Sequence, residues 1–207
     1  TDVIDHPNYQ FIQGDICKRS KVNDALAQFK PNAIIHFAAE SHVDRSIDDP
    51  LEFIQTNIVG TAVLLDESLH YYKSLQGAQK KLFRFLHVST DEVYGSLDHK
   101  GYFTEKTAYD PSSPYSASKA AGDMLVKAWA RTYDIEYIIL RPTNNYGILQ
   151  HVEKLVPLSI KLLQWGKNIR LHNQGKPVRN WLHADDTAEA VLTIIESGRK
   201  NEIFNVA

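Results

Sequence analysis

Apolar positions along this chain switch between two periods, and the switching lays out alternating strands and helices. Tyr9–Ile12 is a short apolar stretch ending at Gly14-Asp15 and predicts a strand. Arg19–Phe29 carries Val22, Ala25, Leu26 and Phe29 at helical spacing. Ala33–Phe37, after Pro31-Asn32, is an unbroken apolar run of the kind a buried parallel strand shows. Pro50 opens a long helix containing Leu51, Phe53, Ile54, Ile58, Val59, Ala62, Leu64 and Leu65. Leu82–Val88 predicts the next strand. Pro111-Ser112-Ser113-Pro114 punctuates the start of a helix over Tyr115–Tyr133. Tyr137–Leu140 is a further strand, stopped by Pro142.

After residue 147 the texture changes. Glu153–Trp165 predicts a helix, Ile169–His172 a short strand and Gly175-Lys176-Pro177 a turn. Asp185–Ser197 is helical, with Ala188, Val191, Leu192 and Ile195 on one face, and Glu202–Phe204 is a last strand. Strands separated by helices imply a doubly wound parallel sheet. The predicted class is therefore α/β, with the sheet over residues 1–147. Part of a smaller mixed α/β domain follows over 148–207, some of it returning to the sheet.

Composition narrows the partners. The 207 residues suffice for a real core. Lys+Arg 23 against Asp+Glu 25 leaves a net charge of -2, which argues against nucleic acid as the main partner. Cys17 is the only cysteine, so no intrachain disulfide is possible and a reducing, cytoplasmic setting is the simple expectation. No apolar run approaches the ~20 residues that span a bilayer, so no membrane partner is expected.

The candidate chemistry sits where predicted strands end, the edge at which doubly wound sheets bind ligands. Gly14-Asp15-Ile16 follows the first strand, and Asp15 there is either a ligand for an adenine amino group or a helix cap. Phe37-Ala38-Ala39-Glu40-Ser41 follows the second, where small residues admit either a ligand or a closely packed helix. His42, Asp44 and Arg45 lack metal-ligand spacing, and no metal is expected. Thr56-Asn57 and Gly60-Thr61 lie within the long helix, where Gly60 costs roughly 1 kcal/mol against Ala.

The sharpest string is Ser89-Thr90-Asp91-Glu92. Two adjacent carboxyls near a dry pocket can titrate apart, one as acid and one as base. Tyr115 and Lys119 follow, with Tyr115 25 residues after Thr90. Positions i and i+4 share a helix face, so the Lys119 cation is expected to lower the Tyr115 phenol toward neutrality. Asn144, Asn145 and Tyr146-Gly147 come after the Tyr137–Leu140 strand. Glu153, Lys154, Leu155 and Arg179 belong to the second region, and Arg179 could grip a diphosphate.

Together these strings resemble the extended short-chain dehydrogenase/reductase superfamily and, within it, the dTDP-glucose 4,6-dehydratases. HFAAESHVDRSI, TNIVGT, HVSTDEVYG, PSSPYSASKA, NNYG, EKLVPL and RNWLHADD carry the likeness over about residues 14–187. The resemblance implies an NAD-binding Rossmann-type domain at 1–147 and part of a nucleotide-sugar-binding domain at 148–207. The family's G-x-x-G-x-x-G loop is absent from the chain. That implies a natural protein with a first strand before Thr1 and a continuation past Ala207.

The resemblance also assigns roles. Tyr115 would take the sugar O4 proton as hydride leaves C4 for NAD, with Lys119 tuning it and Thr90 binding near O4. Glu92 would remove the C5 proton, and Asp91 would protonate the departing C6 hydroxyl. Asp15, Ile16, Ala38, Ala39, Ser41, Thr56, Ser89, Tyr115 and Lys119 would line the cofactor. Ser41, Thr90, Asn144, Asn145, Glu153, Lys154, Leu155 and Arg179 would meet the nucleotide sugar. A homodimer through the Pro50–Tyr72 and Tyr115–Tyr133 helices is expected. Arg141-Pro142, His172 and Asn180 depart from the family pattern and are expected at the nucleotide end. Two other readings stay open: a nucleotide-sugar 4-epimerase, which needs no Asp91-Glu92 pair, and a catalytically silent NAD-binding protein.

Overall fold

A computed structural model describes residues 3–97, 101–169 and 171–207. The side chains of His172 and Asn173 lie outside the description. Strands β1 (Ala33–His36), β2 (Arg84–Val88), β3 (Tyr137–Pro142) and β6 (Glu202–Val206) form one sheet in the order β1-β2-β3-β6. Every pairing in it is parallel.

Both faces are covered, which explains the nearly continuous apolar strands. On one face Phe85 and Ile139 pack with helices α1 (Arg19–Phe29), α4 (Thr61–Ser74) and α6 (Pro114–Tyr133) through Val22, Leu26, Leu64, Leu65 and Val126. On the other, Leu86, Val88, Ile138 and Leu140 pack with Val191, Ile194 and Ile195 of helix α8 (Ala184–Glu196). Neighbouring residues of one strand thus serve opposite layers, as the two-residue period of a strand requires.

Residues 184–206 are therefore part of the main sheet unit: α8 covers its second face and β6 lies beside β3. β3 runs through Pro142, which pairs with Val206, and β6 runs past Asn205. A small parallel ladder joins β4 (Asn144–Tyr146) to β5 (Trp181–His183), a pairing with no signal in the apolar pattern. Helix α7 (Leu155–Gln164) lies between its two strands in the chain.

Tyr9–Ile12 does not form its expected strand, and the expected strand Ile169–His172 falls partly outside the described residues. Tyr9–Ile12 is irregular, with Phe11 73% exposed, because no strand among the described residues offers it a ladder. Within Ile169–His172, Arg170 lies outside the description, and His172 opens a 3-10 turn to Gly175. Short helices α2 (Val43–Asp48) and α5 (Gly77–Leu82) were not signalled, and α5 takes the Leu82 expected in β2.

The helix from Pro50 is not uniform. It runs as α3 (Pro50–Phe53), a π-helical segment Ile54–Gly60 and then α4. A Cβ on Gly60 would lie 2.7 Å from Ile16 Cδ1, so this glycine lets the Asp15–Cys17 loop rest on the helix.

Candidate active site

β2 ends at Val88 and hands its chain to the site. The Ser89 amide donates to Leu140 O at 2.7 Å, which extends the β2–β3 ladder by one residue. Thr90 then caps a 3-10 turn, Asp91–Tyr94, by accepting the Glu92 amide at 3.2 Å. Its hydroxyl also donates to Asp91 Oδ1 at 3.3 Å. A buried turn thus aims two successive carboxyls off one strand end. Burial raises both above their ordinary range, and Asp91 raises Glu92 further. Arg179 pulls both back down, and Lys154 does the same for Glu92.

α6 supplies the phenol and the ammonium. Pro114 opens it, and a capping box between Ser113 and Ser116 fixes its first turn. Tyr115 lies in that turn with its ring edge-on to Phe53, centroids 6.4 Å apart. One turn later Lys119, 4% exposed, donates from Nζ to Val88 O at 2.8 Å.

The expected lowering of the Tyr115 phenol is corrected here. Burial pushes Tyr115 well above its ordinary value, and the Glu92 and Asp91 carboxylates add to the rise. The facing Thr90 hydroxyl works the other way. Burial also brings Lys119 down to about 8, against the pull of Asp123. A desolvated ammonium held by a backbone carbonyl leaves the phenol protonated in the free chain.

The remaining predicted residues divide. Lys154 Nζ donates to Ser41 Oγ at 3.4 Å, which brings the loop after β1 to the second region. Asn144 Nδ2 is buried with no hydrogen-bond partner, and the Ser89 hydroxyl helps hold the Asp123 carboxylate down. Asn145 is committed internally, accepting from Thr187 and donating to Thr143 O at 2.9 Å. Asp15 Oδ1 accepts the Cys17 amide at 2.8 Å as a local turn. Ile16 packs on Gly60. Ala38, Ala39 and Thr56 lie along the edge, Ala38 exposed and the other two half-buried. Glu153 is half-buried 3.5 Å from His151, Leu155 opens α7, and Arg179 is exposed.

Arg141-Pro142 is not at a nucleotide end. Arg141 is 1% exposed and pairs with Asp123, itself 0% exposed, at 2.9 Å. Asn57, which the sequence placed only within the long helix, ties the site together. From the π-helical segment its amide holds Glu40 N at 2.8 Å, Glu40 O at 3.0 Å and Ser118 Oγ at 2.8 Å. It thereby ties the loop after β1 to α6, and a π-turn at that point is the kind of local irregularity found at functional sites. Among the described residues one trio, Asp66, Glu67 and His70, has its ligand atoms close enough for a metal, but its two carboxylates are taken by Arg19 at 2.6 Å each. No helix among the described residues is long and apolar enough to cross a membrane.

Comparison with known proteins places this geometry. Residues 1–207 match the model of the family described as GDP-mannose 4,6 dehydratase. The chain belongs to this family. A dTDP-glucose 4,6-dehydratase of Shigella flexneri is 47% identical over 99% of the chain and 59% of its own length. One from Neisseria gonorrhoeae is 47% identical over 100% of the chain and 60% of its own length. The crystal structure of the dTDP-glucose 4,6-dehydratase DesIV from Streptomyces venezuelae, solved with NAD bound, superposes with a TM-score of 0.90. It is 40% identical over 99% of the chain and 60% of its own. A UDP-glucose 4-epimerase from Thermotoga maritima shares the fold at lower sequence identity, with a TM-score of 0.84 and 27% identity over 96% of this chain and 62% of its own. The chain thus spans about 60% of the length of the dehydratases it matches.

Proposed function

We propose that this chain carries out NAD-dependent 4,6-dehydration of a nucleoside-diphosphate hexose, with dTDP-glucose as substrate and a 4-keto-6-deoxy sugar and water as products. The observation that carries the proposal is the adjacent Asp91-Glu92 pair, half-buried and held above the carboxylate range, on the strand end that faces Tyr115 and Lys119. A 4-epimerase has no use for that pair.

The edge suits the cofactor. Ala38 is exposed just past the end of β1. Asp15, Ile16, Ala38, Ala39, Ser41, Thr56, Ser89, Tyr115 and Lys119 are the residues that would hold NAD. Bound there, NAD supplies the acceptor for hydride from C4 and its donor to C6. The chain's own groups move the protons. Tyr115, protonated in the free chain, would give up its proton once the positive charge of NAD stands beside it, and as phenolate would accept the O4 proton while Thr90 hydrogen-bonds O4. Glu92, made more basic by burial and by Asp91, takes the C5 proton and returns it to C5 when hydride reaches C6. Asp91, which holds its proton to higher pH than an exposed carboxyl, gives it to the C6 hydroxyl, which leaves as water. Among the substrate residues Asn144 has a free amide, Arg179 and Lys154 bring positive charge for a diphosphate, and Ser41, Asn145, Glu153 and Leu155 shape the surround.

We further propose a cytoplasmic homodimer through the Pro50–Tyr72 and Tyr115–Tyr133 helices, where Leu51, Ile54, Val59, Met124 and Tyr133 lie exposed. A monomer in light scattering of full-length protein at micromolar concentration overturns the dimer. The activity is tested by incubating full-length protein with a panel of nucleotide sugars. Loss of one water by mass spectrometry supports dehydration, an unchanged mass with inverted C4 supports epimerisation, and cofactor binding without turnover supports a silent protein.

A further inference from the structure

We propose that Arg141 is a positioning residue that pins the turn carrying Asp91 and Glu92 to the helix carrying Tyr115 and Lys119. The proposal rests on the dehydration reading above. Tyr94 is the last residue of that turn, and Asp123 lies one helical turn beyond Lys119. Arg141 joins the two. Its Nε donates to Asp123 Oδ2 at 3.0 Å and its Nη1 to the Tyr94 hydroxyl at 2.5 Å. Its Nη2 lies 2.9 Å from Asp123 Oδ2 and also donates to the Tyr109 hydroxyl. The guanidinium carbon sits 4.8 Å from the ring centroids of both Tyr94 and Tyr109.

The clasp continues outward. The Tyr94 hydroxyl donates to Asn205 Oδ1 at 2.8 Å, and the Tyr94 ring stacks on Phe103 at 4.9 Å. Arg141, Tyr94 and Asp123 are at most 3% exposed, so water cannot replace the bonds that join these three. A planar fork with five donors can hold a carboxylate and two phenols at once, and a lysine ammonium cannot. Arg141 touches neither the carboxyls nor Tyr115. Its effect is on the distance between the group that removes the O4 proton and the groups that remove water.

The test is made on the full-length protein. Tyr94→Phe removes one hydroxyl and keeps the stacked ring, so the fold should survive. We expect kcat for water loss to fall about tenfold to a hundredfold, the penalty of a misplacement near 1 Å. KM for the nucleotide sugar should stay within about twofold, since substrate binding is untouched. C4 oxidation should outrun elimination, so reduced nicotinamide should accumulate during turnover, whereas a general loss of folded enzyme would lower both steps together. Arg141→Lys should show the same split. A crystal structure of Tyr94→Phe should show the Asp91–Glu92 turn displaced from Tyr115. A wild-type kcat, equal slowing of both steps, or an unmoved turn overturns the proposal. If wild-type protein removes no water from any nucleotide sugar, the dehydration reading fails instead, and the crystallographic comparison still decides whether Arg141 places the turn.

Discussion

Lys119 Nζ donates to the carbonyl oxygen of Val88 at 2.8 Å, so the helix that carries Tyr115 is bolted to the end of β2. Only Ser89 separates that carbonyl from Thr90. The bond fixes the phenol and the two carboxyls in one frame, and the predictions below depend on that frame.

Tyr115→Phe should lower turnover by about 10²–10⁴-fold, the usual effect of losing general acid–base function. NAD affinity should stay near wild type, because many other contacts would hold the cofactor. Steady-state kinetics beside a cofactor titration checks both halves. Activity near wild type removes Tyr115 from the chemistry.

The two carboxyls should fail differently. Glu92→Gln cannot accept the C5 proton, so enzyme with reduced nicotinamide and a 4-keto hexose nucleotide should build up. Asp91→Asn should slow water loss yet still let deuterium enter C5 from solvent. Exchange lost in Asp91→Asn and kept in Glu92→Gln reverses the acid and base assignments.

Glu92 should cost stability at neutral pH. Burial and Asp91 raise its folded pKa, so the folded chain keeps the proton more tightly than the unfolded chain. That stability is present at acid pH and is lost as pH rises through the raised value. Glu92→Gln never ionises. Its Tm should match wild type at acid pH and exceed it at neutral pH. A Tm difference independent of pH counts against the buried-charge account.

Lys119 should titrate early. Its folded pKa of about 8 lies below the ordinary 10.5, so between those values the unfolded chain binds more protons than the folded one. Stability should therefore rise with pH across that window. Nitrogen-detected NMR of the Lys119 side chain in cofactor-free, full-length protein gives the midpoint directly. A midpoint at or above 10.5 rejects the desolvated ammonium.

What the sequence settled on its own was local or periodic. Arg19–Phe29 forms just that helix because its apolar spacing and its stop at Lys30 are written in consecutive residues. The Pro114 start of α6 was legible from the proline and its serines, and the i, i+4 spacing of Tyr115 and Lys119 put them on one face. The Thr90-Asp91-Glu92 triplet stood out because polar residues cut off an apolar strand at its ligand-binding end.

Only the folded chain decided the rest, because it depends on what lies across the gap. Tyr9–Ile12 has a strand's composition but no neighbouring ladder among the described residues, so it stays irregular. β4 and β5 are three residues each and exist through their pairing with one another. The Tyr115 phenol rises because burial and Glu92 outweigh a cation that points to Val88, and helical spacing cannot say which way an ammonium turns. Arg141 read as a departure from the family pattern at the nucleotide end. A strand position inside a two-sided core, with Asp123 from a helix packed over it, made it a buried ion pair, since a charge so enclosed persists only when its partners come from elsewhere in the chain.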